Sequence, residues 1–386
     1  MKTPANAVSE QLLHALSRIR YGSIAITTPE GKNLFFEGSE KGTDATLVIH
    51  DWKAVRNVAM RGDIALGEDY IAGLWDTDSV ENLLTVFLSN IDALENFRDG
   101  DWLRKIWFNI YNRILRRNSK TGSRNNIRSH YDVGNDFYKL WLDDTMTYSS
   151  ALFNAPTDTL EQGQHRKYGR ILDRIDGDNI LEIGCGWGGF AEQASNTNRK
   201  VTGLTISPAQ HAFAERRLAG KADIRLEDYR DTSGKFDSIV SIEMFEAVGE
   251  QYWPLYFNRV SERLKRGGSA VVQTITMRND LFARYRANSD FIRHYVFPGG
   301  MLPSQEKFAE GASAAGLKCV DTYAFGQDYA RTLREWLVRF EEKKSEIQAL
   351  GHSDAFIRNW RFYLGTCAAA FAVGRTDVVQ VELKHA

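Results

Sequence analysis

Five apolar runs alternate with helical stretches in the second half of the chain, and this alternation constrains the fold more than any other feature. NILEIG, KVTGLTIS, ADIRLED, FDSIVSIEM and SAVVQTIT read as buried strands, separated by stretches such as PAQHAFAERRLAG and YWPLYFNRVSERLK. Strands that are apolar throughout, each followed by a helix, pair in parallel and require helices on both faces. The expected fold is α/β: a Rossmann-like parallel sheet, followed by a long, largely helical region and a last strand at DVVQVELK.

The first run leads into ILEIGCGWGGF, where Gly184, Gly186, Gly188 and Gly189 crowd into six positions. Glycines this dense turn a strand sharply into a helix and let backbone approach a ligand more closely than any Cβ allows. The spacing satisfies G-x-G-x-x-G, but a dinucleotide site also needs an acid at the end of the second strand, and that strand ends Gly203-Leu204-Thr205. No Lys follows the glycines, which removes a phosphate loop. An acid ahead of the loop, Glu182, and acids after the third run, Glu227 and Asp228, suit S-adenosylmethionine (SAM), which carries an amino group, a ribose and an adenine but no phosphate. Another nucleotide and a structural turn are the alternatives.

Ahead of this region, residues 9–20 read as a helix, SIAITTPEGKNLFFEG as a hairpin around Pro-Glu-Gly-Lys, ATLVIH as a strand, and the stretches near 51–61 and 79–91 as helices. The polar, aperiodic stretch beginning NSKTGSRNNIR reads as a linker. The expected organisation is a small α+β domain over 1–117, a linker over 118–128 and a catalytic domain over 129–386. Forty-nine basic and fifty acidic residues leave a formal charge of -1, so no global field favours nucleic acid. Cys185, Cys319 and Cys367 are far apart with no C-x-x-C, which excludes a zinc-type site and fits a reducing compartment. The N-terminal stretch lacks the apolar core of a signal peptide, and eighteen uninterrupted apolar residues occur nowhere. A cytoplasmic protein is expected.

YDVGNDFYKLWLDDTMTYSSALF, LEIGCGWGG, VTGLTISPAQ, LEDYRD, IVSIEMFEAVG, VVQTIT and FIRHYVFPGGMLPS together resemble the cyclopropane-fatty-acyl-phospholipid synthase family, in family order from about residue 129 onward. GEDYIAGLWD adds a weaker match in the small domain. The resemblance implies a class I SAM-methyltransferase fold with a seven-stranded sheet and a helical insertion. It implies transfer of a one-carbon unit from SAM to the double bond of an unsaturated phospholipid acyl chain. It also implies SAM contacts at Tyr148 and Ser149 (TYS), Gly184 and Gly186, Thr205, Ile206 and Gln210 (GLTIS-x-x-Q), and Glu227, with no metal.

An isolated alkene is a weak nucleophile that no side chain activates by deprotonation, so the protein's main contribution is to hold it against the sulfonium methyl. Aromatic faces stabilise the cation formed, and a base then removes a proton; which proton leaves decides between cyclopropane, methylene and methyl-branched products. The resemblance implies a bound bicarbonate as that base, held by Cys, Glu, His, an Ile amide and Tyr. Glu246, Ile275 and Tyr329 match, whereas Ser150 and Gln273 stand for the Cys and His, and Ala247 replaces a His beside the Glu. Ser and Gln still donate to an anion. These departures keep a C-methylated or methylene product, completed by a partner oxidoreductase, and a catalytically silent SAM- or lipid-binding protein as alternatives. A methyltransferase for a smaller hydrophobic substrate is another. Cys185 is expected to be buried packing rather than a nucleophile, and His294 to be structural.

DWLRKIWFNIYNRILRR, residues 101–117, places Leu103, Ile106, Trp107, Ile110, Tyr111 and Ile114 at helical spacing, with Arg104, Lys105, Arg113, Arg116 and Arg117 between them. Such an amphipathic segment suits an anionic membrane surface or a packing role between domains. Peripheral association with the inner face of the plasma membrane is expected, and the resemblance implies a homodimer.

Overall fold

The computed structural model describes residues 4–94 and 133–386. The basic, aromatic segment 101–117, the linker 118–128 and both boundaries drawn from the sequence lie outside the described residues.

The N-terminal part is a four-stranded sheet, β1 (Tyr21–Thr27), β2 (Asn33–Glu37), β3 (Glu40–Ile49) and β4 (Trp75–Asp76), in the order β2-β1-β3-β4. β1 and β2 form the expected hairpin, closed by Thr28 N donating to Lys32 O at 2.9 Å. Ile24 and Ile26 point into the core while Ala25 faces outward, the period of two that a half-buried strand requires. The helix Val80–Ser89 covers this face with Leu83 and Val86; Ser79 caps it by accepting from Asn82 N at 3.1 Å. The helix Lys53–Ile71 is longer than expected and is interrupted at Gly62, whose φ is 62°.

The C-terminal part is a seven-stranded sheet in the order β10-β11-β9-β8-β5-β6-β7. Its strands are β5 (Asn179–Ile183), β6 (Lys200–Thr205), β7 (Asp223–Leu226), β8 (Phe236–Ile242), β9 (Leu264–Met277), β10 (Leu317–Ala324) and β11 (Thr376–His385). β11 runs antiparallel to both of its neighbours, and the β7-to-β9 half is parallel. One face packs Ile180, Val240 and Val271 against Tyr168, Phe190 and Ala214; the other packs Leu181, Ile239 and Val272 against Tyr256, Phe257 and Phe308. Every strand expected from the sequence is present. β10 was hidden in the region read as helical because it is an edge strand in which Leu317 alone is buried.

A single core joins the two sheets. The helix Asp354–Ala372 lies between them, and two close approaches on either side require glycine. A Cβ on Gly365 would stand 2.8 Å from Val80 Cβ, and one on Gly67 would stand 2.3 Å from Phe291 Cδ2. Arg358 adds polar ties to Tyr70 O at 2.6 Å and Asp76 Oδ1 at 2.8 Å. No helix among the described residues is long and apolar enough to cross a membrane.

Candidate active site

A cavity of about 950 Å³ opens at the carboxyl ends of β5, β6, β8 and β9, where parallel sheets present their ligand sites. The loop after β5 forms one wall. Gly184 has a φ of +82°, and a Cβ there would stand 2.7 Å from Met244 Cγ. Gly184 N and Cys185 N both donate to Leu204 O, at 3.0 and 2.8 Å, which fixes the loop against β6. A Cβ on Gly186 would meet nothing within 4 Å, so this backbone borders open space.

Beyond the loop, Thr205 bonds Gln210 Oε1 at 2.9 Å, while Ser207 caps the helix Pro208–Leu218. Both acids after β7 line the cavity; Asp228 is held in a bidentate pair with Arg230 at 2.8 and 2.6 Å. Glu182 forms the floor. Burial pushes its carboxyl up to about 8, and its Oε2 has no hydrogen-bond partner among the described residues. A glycine cradle, an under-satisfied acid beneath it and a second acid farther along fit a ligand with an ammonium at one end and an adenine at the other. All eight expected SAM contacts, Tyr148, Ser149, Gly184, Gly186, Thr205, Ile206, Gln210 and Glu227, line this cavity.

The cavity continues into an apolar arm. Phe291, Ile292, Phe297 and Leu302 form one side, Phe362, Tyr363 and Phe371 a second, and Leu66, Leu84, Leu88 and Ile91 of the N-terminal part a third. His294 meets Tyr295 edge to face, with centroids 4.6 Å apart, and Tyr295 OH donates to Glu68 at 2.6 Å; this segment is therefore held against the N-terminal part.

Where the two arms meet, the geometry departs from the sequence reading. Glu246 and Ile275 are together, as expected: Glu246 Oε1 accepts from Ile275 N at 2.5 Å and from Thr274 Oγ1 at 2.9 Å. Ser150, Gln273 and Tyr329 instead converge on an acid the sequence reading passed over, Glu243. Its Oε1 accepts from Ser150 N at 2.9 Å and Gln273 Nε2 at 2.7 Å, and its Oε2 accepts from Tyr329 OH at 2.6 Å. Ser150 and Gln273 are fully buried and do not line the cavity, whereas Glu243, Glu246 and Tyr329 do. Ser150 Oγ donates to Ala151 O at 2.9 Å. Ser150 and Gln273, expected to stand for the Cys and His that hold a bicarbonate, instead stand behind Glu243 and hold it. A bicarbonate does not fit either, because the donors implied for it already end on Glu243 and Glu246.

Lys167 is the second residue the sequence reading missed. It is fully buried in the helix Leu160–Leu172 and donates to Ser149 Oγ at 2.6 Å. Burial lowers its ammonium to about 7, against the attraction of Glu243, Asp143 and Glu182. The Glu243 carboxyl is raised by burial, with Lys167 and its three donors opposing the rise. Burial, followed by repulsion from Glu243, pushes Glu246 up to about 8. Cys185 is buried packing, as expected, its thiol raised by burial.

Glu246 gives a pH-dependent prediction. Because its folded pKa, about 8, lies above the ordinary 4.5, the folded state holds the extra proton between those values, and stability falls as pH rises through that window. Glu246→Gln keeps an acceptor for Ile275 N and removes this slope. Its melting temperature relative to the parent protein should rise from pH 5 to pH 8.5 in a pH series of thermal melts; a constant difference would contradict the assignment.

Comparison with known proteins agrees with this geometry. Residues 118–381 match the family model described as mycolic acid cyclopropane synthetase. The chain belongs to this family. It is 33% identical to the tuberculostearic acid methyltransferase UfaA1 of Mycobacterium tuberculosis, over 98% of this chain and 96% of that one. It is 36% identical to the cyclopropane-fatty-acyl-phospholipid synthase of Escherichia coli, over 84% of each chain. Among solved structures, the mycolic acid cyclopropane synthase CmaA1 in complex with SAH and CTAB superposes with a TM-score of 0.63 at 30% identity, covering 67% of this chain and 97% of that one. The protein is a SAM-dependent methyltransferase of the class I fold, cyclopropane synthase-like, acting on lipid acyl chains.

Proposed function

We propose that the protein transfers the methyl carbon of SAM to the double bond of an unsaturated acyl chain while the chain is still part of a membrane phospholipid. The observation that carries this is one cavity lined both by the glycine loop and by apolar and aromatic side chains, with Glu243, Glu246 and Tyr329 in its wall. When bound, SAM supplies an electrophilic methyl carbon on a sulfonium. Tyr148, Ser149, Gly184, Gly186, Thr205, Ile206, Gln210 and Glu227 hold it. Tyr148 is itself fixed by Tyr363, their hydroxyls 2.9 Å apart. Tyr329, Tyr363 and Phe371 put aromatic faces on the apolar arm, where they stabilise positive charge on the chain. The N-terminal part, taken as a domain over 1–117, closes that arm and excludes water.

Release of S-adenosylhomocysteine tests the reading. It should require vesicles of unsaturated phospholipid and be absent with saturated vesicles. A preference for free fatty acid over intact phospholipid would overturn the choice of substrate.

The departures at Ser150 and Gln273, and likeness over nearly the whole chain to a protein named a tuberculostearic acid methyltransferase rather than a cyclopropane synthase, favour a methylene or methyl branch as product. A hydride shift that moves the cation to the methyl-bearing carbon, followed by loss of a proton from the new methyl, yields the methylene form. Reducing that methylene to a saturated methyl branch needs two electrons and two protons, a hydride and a proton, which calls for a partner oxidoreductase.

The segment 101–117 is proposed to bring the protein to the inner face of the plasma membrane as a peripheral protein, and a homodimer is the proposed assembly. Replacing Arg116 and Arg117 with Glu should reduce co-sedimentation with anionic vesicles by about 2 kcal/mol, roughly thirtyfold, at about 1 kcal/mol per basic residue. Unchanged sedimentation would remove this segment from membrane binding.

A further inference from the structure

We propose that the Glu243 carboxylate is the resident anion of this active site and the base that accepts the proton released during one-carbon transfer, so that no free bicarbonate takes part. The inference rests on the one-carbon reading and names the group that completes it.

Three donors from three separate parts of the chain converge on one side chain. They are the amide of Ser150, the Gln273 amide on β9 and the Tyr329 hydroxyl on the helix Gly326–Glu342. Three donors on two oxygens hold the charged form of a carboxyl. The Gln273 amide is itself oriented from behind. Gln380 Nε2 donates to Gln273 Oε1 at 3.0 Å, and Arg170 donates to Gln380 Oε1 at 2.8 Å. This chain leaves the Gln273 NH₂ facing Glu243. A glutamine provides both ends of that relay, which accounts for an amide at this position.

The backbone carries a second sign. Glu243 has a φ of +49°, a left-handed conformation rare outside glycine, and its N–H is tied to Gln273 O at 2.8 Å. Such a conformation survives where the surroundings over-determine it, and it clusters at working sites. Here it turns the end of β8 so that the carboxylate fills the space between Ser150 and Gln273 on one side and the cavity on the other.

In the reaction, the alkene π pair forms the bond to the methyl carbon and the carbon–sulfur pair leaves with sulfur, giving S-adenosylhomocysteine. The acyl chain keeps a cation. A C–H bond then breaks and its proton passes to Glu243; if it belongs to the new methyl its electron pair closes a ring onto the cationic carbon, and if it belongs to a carbon adjacent to the cation it makes a new double bond. No oxidant or reductant is consumed.

Two measurements test this together. In the first, binding of ¹³C-bicarbonate is followed by NMR, which needs no turnover. The parent protein should bind none at the site, while Glu243→Ala, with its donors freed, should bind it at least about tenfold more tightly. In the second, turnover of SAM with unsaturated vesicles is measured with and without dissolved bicarbonate. The parent rate should be unchanged. Glu243→Gln should fall by about a hundredfold or more with SAM affinity retained, and Glu243→Ala should regain at least about tenfold on addition of bicarbonate or formate. The proposal is overturned by a parent rate that collapses without bicarbonate, by equal bicarbonate binding in the parent and Glu243→Ala, by an active Glu243→Gln, or by no rescue of Glu243→Ala. A parent protein that turns over no unsaturated lipid defeats the one-carbon reading, and the binding measurement still decides whether Glu243 holds the anion's place.

Discussion

Lys167→Met should lower stability by about 3–5 kcal/mol and abolish turnover. The ammonium is fully buried, bonded to Ser149 Oγ at 2.6 Å, and attracted by Glu243, Asp143 and Glu182. Removing one member of a buried charge group leaves the others uncompensated, which costs about this much, far more than the hydrogen bond alone. Ser149 also loses its donor, beside the residue whose amide binds Glu243. The loss should depend on pH. The folded pKa of Lys167, about 7, lies below the ordinary 10.5, so the unfolded state binds the extra proton between those values. Its contribution to stability therefore rises with pH across that window, and the methionine variant should lack that slope. Denaturant midpoints at pH 6 and pH 9 measure both effects; a change below about 1 kcal/mol, as for an ordinary surface site, would mean the cation is not compensating the acids around it.

Gly184→Val should reduce SAM affinity by roughly a hundredfold. The φ of +82° disfavours any side chain, by about 1–2 kcal/mol, and a β-branched one most of all. The added carbon would stand 2.7 Å from Met244 Cγ and 2.9 Å from Met244 Cβ, and such overpacking costs about 1–3 kcal/mol more. Met244 cannot retreat freely, because it lies between Glu243 and the helical turn that carries Glu246. The loop must move instead, and it borders the cavity from Gly184 to Trp187. Titration calorimetry with SAM measures the loss. An affinity within about threefold of the parent protein would mean that this loop does not contact SAM.

The strands β5, β6, β8, β9 and β11 were legible because they are largely buried on both faces, so their sequences are rich in apolar residues; the edge strand β7, with Leu226 exposed, was legible only from its place in the alternation. β10 was not, since an edge strand with Val320 and Tyr323 exposed carries no such run. The glycine loop and the acids after β7 were legible because both follow directly from strand ends. Glu246 was legible through its neighbours in the resemblance, and Glu243, three residues earlier in SIEMFE, was hidden by it. Only the left-handed turn at the end of β8 shows that this acid, too, points into the site. Lys167 was invisible for another reason. In LEQGQHRKYGRIL it is one of three basic residues in a polar helix, and only the packing of that helix against Ser149 buries it.

The central claim is that a carbon moves from SAM to an acyl double bond. The most direct test is mass spectrometry of phospholipid acyl chains after incubation of the purified protein with SAM and unsaturated vesicles, with fragmentation to locate the new carbon. Transfer to the alkene predicts chains heavier by one CH₂, with the added carbon at a former double-bond position. Consumption of SAM with acyl chains left unchanged in mass would contradict it.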